Sequence, residues 1–210
     1  MPPTNGYCTL TELKSYIGDG VTGSSYDQLL NDGITAASRW IDGHCGRRFY
    51  LDTSTSTRTY YVADSRIVDV DDIATTTALA VKTDTGDDGT FATTISSGDY
   101  QLEPRGGIVD GATGWPFTRI RLVEGTTYPT STRRPAVQVT ATWGWAAVPE
   151  EVDRACRVLA HHYFAMRNAP HGVAGFGVEG FAVRAAAVPP QVLTLLARFR
   201  MAHRVAIAFA

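Results

Sequence analysis

The sequence predicts an α+β protein: a small helical bundle built from N- and C-terminal helices, with an inserted antiparallel β-rich domain and an extended C-terminal tail. Two changes of period and one of charge predict it. Apolar residues recur at helical spacing through residues 1–48 and again through 148–210, whereas residues 49–147 alternate at period two. The last twenty residues, 191–210, hold Arg198, Arg200 and Arg204 and no acid, so against a net charge of −2 the remainder carries −5.

In the first zone, Thr9-Leu10-Thr11-Glu12 opens a short helix. Thr9 fits the N-cap and Glu12 the reciprocal capping-box position, and Gly18 and Gly20 end the helix. A second helix is expected from Ser24 or Ser25. Tyr26, Leu30, Ile34, Ala37 and Ile41 recur at steps of three and four, Trp40 lies beside that stripe, and Gly46 is the stop.

The middle zone predicts strands over 57–63, 67–70, 78–83, 90–95, 100–103, 119–123 and 136–143. Ile120 and Leu122, and Val137, Val139 and Ala141, alternate with Arg119, Arg121, Gln138 and Thr140. That pattern fits a sheet with one covered and one wet face. Asp88-Gly89 between two candidate strands is a hairpin signal. The glycine-rich segment 105–116 is expected as an exposed loop, with Trp115-Pro116 open to a neighbour. Trp143 and Trp145 flank Gly144 and are expected in the core.

The third zone opens at Val148-Pro149-Glu150-Glu151. Pro149 suits a first helical turn, and Glu150, Glu151 and Asp153 face the positive end of the helix dipole. Val152, Ala155, Cys156, Leu159, Tyr163 and Met166 form its apolar stripe, and Pro170 and Gly172 stop it. Pro189-Pro190 opens a last helix with Val192, Leu195, Leu196 and Phe199 on one side.

Several chemistries are excluded or left unsupported. A net charge of −2 argues against a general nucleic-acid binder. No apolar run approaches the roughly 20 residues that span a bilayer. Met1-Pro2-Pro3-Thr4 lacks the order of a signal peptide, so a soluble protein made in a cytoplasm is expected. Cys8, Cys45 and Cys156 are too widely spaced for a CxxC site and odd in number, and are expected as reduced, buried thiols. His161-His162 and His44-Cys45 are adjacent pairs about 100° apart on a helix, which cannot chelate one ion from one face. Neither metal nor cofactor is expected. Two acidic groups, Asp64, Asp69, Asp71 and Asp72, and Asp84, Asp87 and Asp88, lack the spacing of a calcium loop. They read as solvated strand ends, with an acidic lining that repels other polyanions as the alternative. No nucleophile elbow or paired base marks a catalytic centre. Gly175-Phe176-Gly177-Val178-Glu179-Gly180 matches GxGxxG, but a dinucleotide site needs a strand before it and a helix after it.

The ordered series of segments resembles the head-to-tail connector (adaptor) family of tailed phages. The segments are Tyr7-Cys8-Thr9-Leu10-Thr11-Glu12-Leu13-Lys14, Trp40-Ile41-Asp42 with Cys45-Gly46-Arg47-Arg48-Phe49-Tyr50, Gly98-Asp99-Tyr100-Gln101-Leu102-Glu103-Pro104, Gly114-Trp115-Pro116, and Val139 to Trp145 followed by Val148-Pro149-Glu150-Glu151-Val152. Together they span most of residues 7–200.

The resemblance implies a non-enzymatic virion subunit in the neck, forming a ring with copies of itself, usually a dodecamer. Its implied partners are the portal protein above, a stopper or tail-completion protein below, and double-stranded DNA passing through the lumen without being read. No membrane is implied. Family adaptors grip the portal with the C-terminal segment, which here contains Arg198, Phe199, Arg200, His203, Arg204, Val205, Ile207 and Phe209. Arg and aromatic side chains suit such an interface. The other reading of that tail is that it folds back on its own bundle. Gly175, Phe176, Gly177, Glu179, Phe181 and Trp115 are expected at a subunit interface or the lumen. Two other functions compete: a stopper or tail-completion subunit, and a nucleotide-dependent enzyme using Gly175–Gly180.

Overall fold

A computed structural model of the chain describes residues 4–18, 21, 23–123, 125–130, 133–167, 173–176, 182–184 and 188–201, with 173–176 and 182–184 described by their backbone. The chain divides into two compact units, Met1–Phe49 with Val148–Ala210, and Tyr50–Ala147.

The first unit is helical. Helix α1, Leu10–Ile17, starts at a capping box: the Glu12 amide donates to Thr9 Oγ1 at 3.2 Å, and the Thr9 amide donates to Glu12 Oε2 at 2.7 Å. Two amides that have no intrahelical partner are thereby satisfied. Gly18 ends the helix at φ 91°. Helix α2, Asp27–Cys45, starts two residues later than its serines suggest, because neither caps it and Tyr26 stands at the N-cap. Its buried stripe is Leu30, Ile34, Ala37, Ile41 and Cys45, and Gly46 closes it in the left-handed region that a side chain would strain.

Helix α3, Glu150–Met166, is preceded by Pro149, which occupies the N-cap rather than the first turn. It buries Val152, Ala155, Cys156, Val158, Leu159, Ala160 and Phe164, a wider band than the expected stripe. Tyr163 and Met166 are half-buried, and Phe164 takes the buried place at that end of the helix. The band is wide because α3 touches α1, α2 and α4. Pro170 and Gly172, expected as its stop, lie outside the described residues. Helix α4, Pro190–Leu196, continues into a 3₁₀ turn at Ala197–Phe199 and buries Val192, Leu196 and Phe199. Strands β7, Val173–Phe176, and β8, Ala182–Arg184, form an antiparallel hairpin.

The second unit is a six-stranded antiparallel sheet. Its strands are β1 Ser56–Tyr60, β2 Ile67–Thr83, β3 Thr93–Ile95, β4 Tyr100–Glu103, β5 Phe117–Leu122 and β6 Val137–Trp143. They lie in the order β1-β6-β2-β5-β4, with β3 on β2. The two expected strands at 67–70 and 78–83 are one continuous strand of 17 residues. Its first part pairs with β5 (Asp69 opposite Arg119) and its second with β6 (Val81 opposite Val139). The register shifts between Thr75 and Ala80, where Ala78 takes φ 58°, and such a bulge lets one strand serve two ladders. Strands β2 and β3 form the hairpin expected around Asp88-Gly89, through a longer turn in which Asp84 accepts the amides of Asp88 at 3.3 Å and Gly89 at 2.7 Å.

Val68, Val70, Ile73, Val81, Ile120, Leu122, Val137, Val139, Ala141 and Trp143 form the covered face of the sheet. At its end, Gly144 has φ 106°, and a Cβ there would stand 1.9 Å from the Tyr50 carbonyl oxygen. The segment 105–116 is less open than expected. Gly107 is buried and exchanges backbone contacts with Trp115, Pro116 is buried, and Trp115 is half-buried against Trp145, with ring centroids 5.1 Å apart. A large apolar ring beside another apolar ring is removed from water without any partner chain.

Candidate functional site

The C-terminal end of the helical unit is built on an aromatic column. Tyr7 and Phe49 meet edge to face at 5.7 Å, and Phe49 and Phe199 meet the same way at 5.6 Å. Phe199 is 2% exposed, so this side chain is a core residue of its own unit and not the open anchor expected from the sequence. The helical period explains the turn inward: Val192, Leu196 and Phe199 lie at steps of four and three, on one face.

Beyond Phe199 the backbone becomes extended, and the Met201 amide donates to the Cys45 carbonyl at 2.9 Å. That carbonyl is the last of α2 and has no helical donor to receive. The bond lays residues 200 and 201 against the end of α2, which brings Arg200 close enough to His44 to act on its charge. Burial first, and then the Arg200 charge, hold the His44 imidazole below its ordinary value. His44 stacks on Trp40 with ring centroids 4.8 Å apart.

Arg200, Arg48 and Arg198 are exposed and Arg47 is half-buried. The Arg47 and Arg200 charges act on Cys45 and the Arg48 charge on Asp42, so with His44 these three arginines form a basic rim around the end of α2. A helix C-terminus is the end that favours cations. Asp42 tempers the rim: it accepts the Tyr7 hydroxyl, lies 3.1 Å from Arg39, and is held above the ordinary carboxylate value by burial. Arg198 reaches Glu151 at 3.4 Å, a pair too exposed to fix its position strongly.

Of the expected portal-facing residues, Arg198 and Arg200 are exposed, Arg200 at the end of α2 and Arg198 against Glu151, and Phe199 is placed inside. His203, Arg204, Val205, Ile207 and Phe209 lie outside the described residues. Arg47, Arg48 and His44 join the rim without having been singled out. Their signal was the Arg47-Arg48 pair directly after the glycine stop of α2.

In the glycine-rich segment, Gly175 and Phe176 end β7, while Gly177, Glu179 and Phe181 lie outside the described residues. Strand β8 begins six residues after Phe176 and pairs antiparallel with β7. A βαβ phosphate site needs a helix and a parallel return, and the strands described on either side of the motif pair antiparallel instead.

The wet face of the sheet carries ion pairs rather than an acidic patch. Arg58 reaches Asp71 at 2.8 Å and Asp52 at 3.4 Å. Arg119 links Asp69 at 2.8 Å to Glu103 at 3.6 Å, and Glu103 binds Arg121 at 2.6 Å. Asp72 is buried and accepts the Trp145 indole N–H. The expected acidic lining at Asp69, Asp71 and Asp72 is thus neutralised or buried, which corrects that alternative. Among the described residues no cluster of three His, Cys, Asp or Glu side chains could hold a metal ion, and no helix is long and apolar enough to cross a membrane.

The chain matches no protein-family model and no curated protein. Solved structures do share its fold. A chain from the virion of a native gene transfer agent (GTA) particle aligns with a TM-score of 0.57 at 20% identity, covering 98% of this chain and 95% of that one. A chain from the neck of an empty GTA particle computed with C6 symmetry gives 0.54 at 20% identity, covering 94% and 91%. A chain from the neck of a native GTA particle computed with C12 symmetry gives 0.50 at 19% identity, covering 94% and 90%. The likeness runs through both units, and at this identity it is a likeness of fold.

Proposed function

We propose that the chain is a head-to-tail adaptor of the phage connector family, a structural neck protein with no catalytic role. In this reading copies of the chain form a ring, a dodecamer as the C12 neck suggests, that joins the portal to the tail and lets double-stranded DNA through its lumen. The observation that carries it is the shared fold along at least nine-tenths of both chains with necks of phage-like particles. An incidental likeness of one helical hairpin or one sheet would not extend through both units.

The basic rim of Arg47, Arg48 and Arg200, together with the exposed Arg198, is assigned to a partner surface of opposite charge, with the portal as the partner. Arginine suits this role because its planar fork holds carboxylates in a fixed geometry. Residues 202–210 continue from that rim, and the proposal extends to them.

The test is a pull-down of the purified chain with its portal ring, followed by electron microscopy of the complex. A ring of this chain seated on the portal is the expected result. Deleting 202–210, or reversing charge in an Arg198→Glu, Arg200→Glu double variant, should weaken capture at least about tenfold, the equivalent of one lost interfacial contact. A chain that stays monomeric and ignores the portal would overturn the adaptor reading. Capture by tail components alone would favour a stopper or tail-completion subunit instead.

A further inference from the structure

Tyr7-Cys8 precedes α1, and Cys156 lies in the second turn of α3. The fold brings their two sulfurs to 3.5 Å, the distance of an S–H···S contact, across a sequence separation of 148 residues. Neither is needed for assembly as proposed above. Both are free thiols, Cys8 at 6% exposure and Cys156 at 0%. Their backbones are held by independent contacts. The Tyr7 amide donates to Ser38 Oγ at 3.0 Å, and Ser38 Oγ in turn donates to the Ile34 carbonyl at 2.8 Å and lies 3.5 Å from Cys156 Sγ. The capping box fixes the residue after Cys8, and the α3 ladder fixes Cys156. Two sulfurs so placed need approach by only about 1.5 Å more to reach bonding distance.

We propose that Cys8 and Cys156 are a built-in oxidation site: a dithiol as the protein is synthesised, and an intramolecular disulfide once a small peroxide reaches it. In the first step one thiolate attacks a peroxide oxygen, the O–O bond breaks, and the sulfur leaves as a sulfenic acid while the departing oxygen takes up a proton as water. In the second step the other thiolate attacks the sulfenic sulfur. The S–S bond forms, the S–O bond breaks, and the hydroxide leaves as a second water. Two thiols and one peroxide thus give one disulfide and two waters, with the sulfurs oxidised and the peroxide reduced.

A small oxidant is required because burial excludes a bulky one. The Cys8 S–H donates to Cys156, which holds the Cys8 thiol above its ordinary value and the Cys156 thiol below it, so Cys156 is the attacking thiolate and Cys8 resolves. Cys156 is fully buried, so the first step is slow. Cys45 provides the internal control. Burial pushes its thiol up to about 11, and no other cysteine is among the groups that act on it.

The full-length protein is treated with hydrogen peroxide and its intact mass is measured before and after dithiothreitol. The expected product is a monomer lighter by about 2 Da, the loss of two hydrogens, which reverts on reduction. Peptide mapping should find Cys8 joined to Cys156, and the oxidised chain should melt at a higher temperature than the reduced one because the linkage closes a long loop. Cys45→Ser should behave like the wild type, and Cys8→Ser should give no lighter species. The proposal is overturned by a wild-type chain that gains oxygen without losing hydrogen, by a linkage through Cys45, or by one between two chains. Because the intact mass and the peptide map of the wild-type chain together decide, the result does not depend on how well the variants fold, nor on whether the chain binds a portal.

Discussion

The Trp145 indole N–H donates to Asp72 Oδ2 at 3.1 Å, and the Asp72 carbonyl accepts the Gly144 amide at 2.7 Å, so one residue of β2 holds both sides of the turn that follows β6. Both side chains are buried, Trp145 at 3% and Asp72 at 6% exposure. Trp145→Phe keeps the ring and removes the donor. Leaving a buried acceptor without it should cost about 1–3 kcal/mol. Urea unfolding followed by tryptophan fluorescence measures this in the right unit, since Trp115 and Trp143 remain there as reporters. An unchanged midpoint would show that the indole bond contributes nothing.

Gly144→Ala should be far worse. A Cβ at 1.9 Å from the Tyr50 carbonyl oxygen has no room, and φ 106° is closed to alanine. The expected loss exceeds about 4 kcal/mol, enough to leave the sheet unfolded at room temperature. Gly98→Ala is the control, because nothing lies within 4 Å of the added carbon. Soluble yield and sheet circular dichroism of the two variants should diverge sharply.

Phe199→Ala separates a core role from a partner role. If the ring is a column member with Phe49, as its burial indicates, its loss should cost about 3–5 kcal/mol in the isolated protein. Helical circular dichroism during urea unfolding reads this out. A stable variant defective only in partner capture would contradict the core assignment.

Thr9→Ala removes the capping side chain of α1 and should destabilise the helical unit by about 1 kcal/mol. Thr9→Ser should restore most of it, because the hydroxyl and its bond to the Glu12 amide are kept. The same denaturation assay compares the three proteins.

The charged face of the sheet predicts an acid limb. Glu103 is held below the ordinary glutamate value, first by its hydrogen bond from Arg121 and then by the nearby arginine charges. A depressed folded-state value means that its contribution is present above the ordinary glutamate range and is lost as pH falls through the lower, folded value. Urea midpoints of the wild type should therefore fall from neutral pH to roughly pH 3 more steeply than those of Glu103→Gln. Parallel profiles would remove Glu103 from the account.

The local chemistry of the ends of elements is readable in the sequence. Thr9 with Glu12, Gly18 and Gly46 mark boundaries because each satisfies or releases specific backbone groups. The alternation in β6 was readable for the same reason, since a half-covered strand must alternate. The continuity of β2 was not. Thr75-Thr76-Thr77 and the left-handed Ala78 look like a break locally, and the strand continues there because β6 pairs with it from far along the chain. Phe199 was misjudged because basic neighbours on both sides suggested an open segment, whereas the step from Leu196 sets its direction. The basic rim was half legible: Arg200 stood out, but its meeting with Arg47 and Arg48 depends on a long-range bond between two peptide groups.

That bond, from the Met201 amide to the Cys45 carbonyl, involves no side chain. The junction between the last described residue and the end of α2 is thus written in main-chain atoms, and any residue but proline at position 201 can donate the same bond. The side chains at both positions can therefore vary while this anchor stays constant.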